Sequence, residues 1–159
     1  ATIAVNVGGA VIPLFVTAGM VGRGRVPRTK TLVAIAAVSL IAYAFATPVP
    51  DVGITIPFYI APLAGAVAGL LLARGCRTAP GLAYAGGTMG TLLGADIFNL
   101  ADPAVIAALA GGRATVLSIG GAGIFDGIFI TGVLAVLLAV YAGGRLRDKA
   151  GVCPQEEGE

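Results

Sequence analysis

SIGGAGIFDGIFITGVLAVLL, residues Ser118 to Leu138, is the stretch whose reading decides the fold. It is almost wholly apolar, crowded with glycine in its first third, and carries one ionisable residue, Asp126. A helix of roughly 17 to 25 such residues crosses the hydrocarbon core of a bilayer. An aspartate at the centre of a spanning helix costs roughly 2.5 to 3.5 kcal/mol on insertion scales, so its presence marks a functional position. A second carboxylate, Asp96, sits inside another apolar run, and the chain is expected to place the two opposite each other.

The surrounding composition agrees. Hydrophobic residues make up 57% of the chain and charged residues 11%, with a mean hydropathy of +0.96. Soluble domains average about 25% charged residues, so too little polar surface remains here to cover one. The 25 glycines suit closely packed membrane helices. A net charge of +2 argues against a nucleic-acid partner. Cys76 and Cys153 are too far apart in sequence to suggest a disulfide framework or a zinc site, and both are expected as reduced thiols. No metal or other cofactor is expected.

Outward from the opening stretch, four more apolar runs appear. Ile3–Val21 is interrupted by Asn6, Gly8, Gly9 and Pro13, and ends in the basic loop GRGRVPRTK. Thr31–Thr47 is an alanine-rich helix, and PVPDVG after it is a turn. Ile54–Ala73 carries Pro57 and Pro62, which predict a kink in its first half. Gly81–Leu100 holds GTMGTLLGADIFNL. Asp102 and Pro103 then suit the cap and first position of a short interfacial or re-entrant helix. The fold expected is an all-α, polytopic transmembrane helical bundle of about five spans, residues 1–143, followed by a polar cytoplasmic tail, residues 144–159.

Orientation follows from the basic residues. With the first loop in the cytoplasm, nine of the ten Lys and Arg residues fall on that side, Arg113 being the exception. That asymmetry predicts a multi-pass protein of the cell membrane with its N-terminus outside.

In this topology Asp96 and Asp126 lie in successive antiparallel spans, at depths of roughly 6 and 12 Å by helical rise. Gly90 and Gly94, with Gly120, Gly121 and Gly123, would let the two backbones approach. Two carboxylates close together in a low dielectric share a proton and titrate as a unit. Such a pair suits an aspartyl protease, and it equally suits a proton or cation pathway. Asn99, a helical turn beyond Asp96, and Asn6, in a broken first span, are supporting candidates. Thr88, Thr91, Thr131 and Tyr84 read as helix-packing hydroxyls. The chain has no histidine, and Lys30 and Lys149 lie outside the apolar runs, so a Ser–His, Cys–His or intramembrane Ser–Lys mechanism is excluded.

The segments VNVGGAVIP, VPDVGITIP, AYAGGTMGTLLGADIFNL and SIGGAGIFDGIFITGVLAVLLA resemble a family of uncharacterised integral membrane proteins from archaea and bacteria. The resemblance, carried by the GAD and GAGxFDGIF motifs, implies a polytopic helical fold with another apolar segment upstream of this chain. A more distant likeness is to the GxGD-type intramembrane aspartyl proteases, among them presenilin, signal peptide peptidase and the prepilin peptidases. Gly121, Gly123 and Asp126 here give GxGxxD, and the two extra residues turn the carboxylate by about 200° relative to the glycines. A PAL motif after the second aspartate is missing; APLAG at Ala61–Gly65 lies upstream.

Three functions remain open from the residues: an intramembrane aspartyl-protease-like dyad of Asp96 and Asp126; a proton- or cation-coupled transporter, channel or ion-binding module; and a structural subunit of a membrane complex. The partners expected are the lipid bilayer, a membrane-embedded peptide or small ion, and a second copy of the chain.

Overall fold

The computed structural model describes residues 2–49, 53–73, 77–110, 116–120 and 127–150. They are mostly helical. A strand β1 (Thr2–Val5) leads through Asn6 into a π-helical turn (Val7–Val11) and then α1 (Ile12–Gly22). α2 (Arg28–Phe45) is joined to α3 (Ile60–Leu72) through two short strands, β2 (Thr47–Val49) and β3 (Gly53–Thr55). α4 (Ala79–Thr91) continues without a break through a second π-turn (Leu92–Ile97) into a final turn, α5 (Phe98–Leu100). α6 (Pro103–Ala110), β4 (Val116–Ile119) and α7 (Gly127–Ala150) complete the described chain.

Four short strands correct the expectation of a purely helical chain. β1 pairs in parallel with β4, Thr2 opposite Val116 and Val5 opposite Ile119. β2 pairs antiparallel with β3, Thr47 opposite Thr55. An apolar run of four residues has no period long enough to separate strand from helix, which is why the starts of the expected first and last spans are open to this change. Ser118 accordingly lies in β4 rather than in a helix. The kink expected at Pro57 and Pro62 becomes a helix start. Pro57 precedes α3 and its carbonyl accepts from Ile60, while Pro62 sits in the first turn, where a missing N–H costs nothing. Asp102 does cap α6, its Oδ1 accepting from the Ala104 N–H at 2.9 Å.

α4 is the hub. It packs against α1, α2, α3 and α7, and small side chains along it make this possible. A Cβ on Gly65 of α3 would come within 2.8 Å of the Gly87 Cα, and one on Gly69 within 2.6 Å of the Ala79 carbonyl. α4 and α7 meet at Gly87 against Ala135 and at Gly132 against Thr88 and Tyr84. One core cluster is four alanines, Ala66, Ala83, Ala135 and Ala139, closed by Leu70 and Leu138. Such close backbone approach is how helices gain packing energy where lipid removes the hydrophobic incentive to associate.

Contrary to the expectation from the sequence, Gly90 and Gly94 do not seat the last helix. They seat α2, since a Cβ on either would collide with Val38 or with the Ser39 carbonyl. The register explains this: residues 86, 90 and 94 form one stripe of α4 at i, i+4 spacing, while Gly87 lies on the adjoining stripe.

The contacts fix the direction of each element. Lys30 Nζ, at the start of α2, donates to the Leu72 carbonyl at the end of α3 at 2.5 Å. Gly81, at the start of α4, lies against Val26 of the loop after α1, and Gly143 of α7 lies near Leu70. The starts of α2 and α4 and the ends of α1, α3 and α7 thus share one end of the molecule. Arg23, Arg25, Arg28, Lys30, Arg77 and Arg145 are there too. The strands and both π-turns occupy the opposite end.

Bulky apolar side chains face outward: Leu71 is 79% exposed, Phe15 72% and Leu32 67%. Thr31, Ser39, Thr88, Thr91, Thr131, Asp96 and Asn99 are buried. So large an exposed apolar surface is unusual for a monomeric soluble protein. Arg28–Phe45 and Gly127–Arg145 are long and apolar enough to cross a membrane, and Val7–Gly22 and Ile60–Leu72 are shorter apolar helices.

Candidate functional site

The strand end of the molecule is built around Asp96. α4 would continue as a plain α-helix were it not for the second π-turn, whose closing i→i+5 bond runs from the Phe98 N–H to the Leu93 carbonyl. One residue added to a turn swings everything after it by about 100°. Asn99 holds the turn open. Its Nδ2 donates to the Gly94 carbonyl at 3.1 Å and to the Ala95 carbonyl at 3.0 Å. Buried at 5% exposure, Asn99 is committed to the backbone that carries Asp96. Phe98, edge-on to Tyr43 at 6.2 Å between centroids, ties the same turn to α2.

Asp96 itself is 8% exposed. Its Oδ2 accepts from the Gly120 N–H at 2.6 Å, a bond spanning from the π-turn to the loop that leads into α7. Gly120 has φ +96°, and a Cβ there would meet Ala10 N at 3.0 Å. Only glycine satisfies both the left-handed backbone and the closeness of the first π-turn. Asn6 organises that turn: its Oδ1 accepts from the Gly8 N–H at 2.9 Å, and its own N–H donates to the Ile119 carbonyl at 2.8 Å. The Ile12 N–H closes the turn on the Val7 carbonyl. Ala10, Met89, Leu92 and Ile128 then pack together beneath it, joining the first π-turn, α4 and α7.

Beside Asp96 is a cavity of about 270 Å³. It is lined by Ala61, Thr91, Ala95 and Asp96, with Ile54, Ile56, Gly127, Ile128 and Thr131. Phe58, Ile130 and Leu134 line it as well and are themselves exposed, so the cavity meets the apolar outer surface. Thr91 Oγ1 donates to the Gly87 carbonyl at 2.6 Å and Thr88 Oγ1 to the Tyr84 carbonyl at 2.8 Å. These are i−4 bonds back onto the helix, consistent with the packing role expected of them.

Of the residues singled out in the sequence, Asp96, Asn99 and Asn6 are brought to one end, Asp96 into the cavity wall and the two asparagines into the turns that frame it. Asp126, Gly121 and Gly123 lie outside the described residues, as do Cys76 and Cys153. Gly127, the residue after Asp126, is in the cavity wall. Gly120 was not foreseen as the partner of Asp96, although a double glycine directly before the aspartate-bearing run was a signal available for it. Among the described residues, no group of three His, Cys, Asp or Glu side chains comes together to hold a metal ion.

No curated protein and no solved structure matches the chain. A family model described as a protein of unknown function, DUF1614, matches residues 1–138. An apolar helical bundle built around a central glycine-rich helix is thus the form taken here by a member of an uncharacterised family, and the chain belongs to DUF1614.

Proposed function

We propose that this chain is a multi-pass membrane protein whose Asp96 and Asp126 act as an intramembrane aspartyl-protease-like pair on a substrate that arrives from the lipid. The alternating directions of α1, α2, α3, α4 and α7 are those that five passes require. The parallel register of β1 with β4 agrees with them, because the first and fifth passes of such a chain enter from the same side. The basic end is then cytoplasmic and the strand end outside.

The observation that carries the catalytic reading is the cavity. It is lined by Asp96 and by the residue following Asp126, and it reaches the lipid-facing surface beside Phe58 and Leu134. A lateral mouth suits a membrane-embedded peptide, since an ion crossing the bilayer needs a path along the helix axes. In the proposed step one carboxylate takes a proton from water while the other donates to the scissile carbonyl.

The test is cleavage of single-span reporter peptides by the chain reconstituted in vesicles. Wild type should cleave, and Asp96→Asn and Asp126→Asn should not, while their circular dichroism melts stay close to wild type. A peptide isostere with a hydroxyl at the scissile position should raise the melting temperature of wild type and leave Asp126→Asn unmoved. Undiminished cleavage by either variant would end this reading.

A second reading has its own observation. The first and last passes are both interrupted, each by an extended strand at the same end, and interrupted helices expose backbone groups that hold ions in transporters. It predicts cation or proton flux in liposomes that Asp96→Asn abolishes.

A further inference from the structure

We infer that the turn between α1 and α2 is a preorganised docking surface for the headgroups of anionic phospholipids. The inference rests on the membrane reading above and is independent of the catalytic one. The turn reads Arg23-Gly24-Arg25-Val26-Pro27-Arg28, and it is fixed at every joint. The Arg23 N–H donates to the Gly19 carbonyl, the Gly24 N–H to the Val21 carbonyl and the Arg25 N–H to the Met20 carbonyl, at 3.0 to 3.1 Å. Gly24 adopts φ +68°, which lets the chain reverse. Val26 is only 2% exposed and is seated against Gly81 at the start of α4. The Pro27 carbonyl accepts both the Thr31 N–H and the Thr31 hydroxyl, anchoring the far side of the turn to α2.

Held this way, Arg23, Arg25 and Arg28 point outward and are exposed, with Arg77 exposed at the same end. None of these four has an acidic partner or a side-chain hydrogen bond among the described residues. The sequence supplies no local acid either: the first acidic residue in the chain is Asp51. Asp96 and Asp102 are at the other end, and Asp148, near the end of α7, is flanked by Arg147 and Lys149. These bonds are those of a glycine-capped helix end, and they present the arginines with the ordering cost of the backbone already met in folding. Guanidinium groups match phosphate with paired N–H donors, and basic residues at a membrane surface gain from anionic lipid individually. Tyr141 supplies the level: it is exposed, and Arg145 lies over its ring at 5.0 Å, an arrangement suited to the headgroup layer.

The test uses the full chain in nanodiscs of phosphatidylcholine carrying trace spin-labelled phosphatidylglycerol or phosphatidylcholine, with paramagnetic resonance reading the motionally restricted fraction. Both leaflets carry the label, so insertion direction does not enter. Wild type should favour phosphatidylglycerol, and the preference should fall by roughly fivefold in the combined Arg23→Gln, Arg25→Gln and Arg28→Gln variant. The matching triple lysine variant should keep most of it. Equal restriction of both labels by wild type would overturn the inference, and so would a preference unchanged in the glutamine variant. Displacement of the labelled lipid by inorganic phosphate, at ionic strength matched with sodium chloride, would also overturn it, by reassigning the turn to a soluble anion. A chain that restricts neither label has not entered the bilayer, and that result would instead remove the membrane reading.

Discussion

Replacing Asn99 with leucine removes two buried amide bonds, to the carbonyls of Gly94 and Ala95, at little change in volume. A net hydrogen bond contributes about 1 kcal/mol, and buried carbonyls that lose a donor add to the loss, so Asn99→Leu should destabilise by about 2 kcal/mol. The larger consequence is geometric. Without the amide the wide turn can tighten, and Asp96 then swings by about 100° away from the Gly120 N–H. Removing the carboxylate by Asp96→Ala should therefore cost less in the Asn99→Leu background than in wild type. A double-mutant cycle should give a coupling of about 1 kcal/mol, well beyond the roughly 0.5 kcal/mol scatter of independent sites. The measurement is far-ultraviolet circular dichroism of the four proteins in mild detergent titrated with sodium dodecyl sulfate. If the two substitutions add within that scatter, Asn99 does not hold Asp96 in place, and the account of the π-turn is wrong.

Two further substitutions probe the packing by the same titration. Gly94→Ala places a methyl group on the Ser39 backbone carbonyl, which cannot yield as a side chain would, and should cost about 1 to 3 kcal/mol. Gly144→Ala, with nothing within 4 Å, should instead gain up to about 1 kcal/mol from helix propensity. Equal effects at the two sites would contradict the close approach of α2 to α4. Gly120→Ala combines a left-handed backbone with a collision against the first π-turn, and should lose about 2 kcal/mol or more. Unchanged stability there would mean that the loop does not rest on Gly9 and Ala10.

What the sequence made legible is instructive by residue. The scarcity of charge already implied that Leu71, Phe15 and Leu32 would be turned outward, since nothing else was available to cover the surface. Asp96 was recognisable because a carboxylate in an apolar run is expensive wherever it ends up. Gly120 was not, because its role depends on a left-handed backbone angle and on Ala10, more than a hundred residues away in the chain. The π-turns were hidden for a related reason. Whether Leu92–Ile97 winds with bonds to the fourth or the fifth residue along depends on which carbonyls Asn99 reaches after packing, and no hydrophobic period records that. The partners of Gly90 and Gly94 turned on a one-residue difference in stripe, which spacing alone leaves ambiguous until the neighbouring helices are placed.

The parallel pairing of β1 with β4 also has a bearing on biosynthesis. Thr2 leaves the ribosome long before Val116 exists, so the first strand must wait, with its hydrogen-bonding groups unmet by their final neighbour, until most of the other helices have been made. The pairing is a long-range closure across more than a hundred residues. Nascent chains arrested before β4 emerges should be the ones that quality control recognises as unfinished.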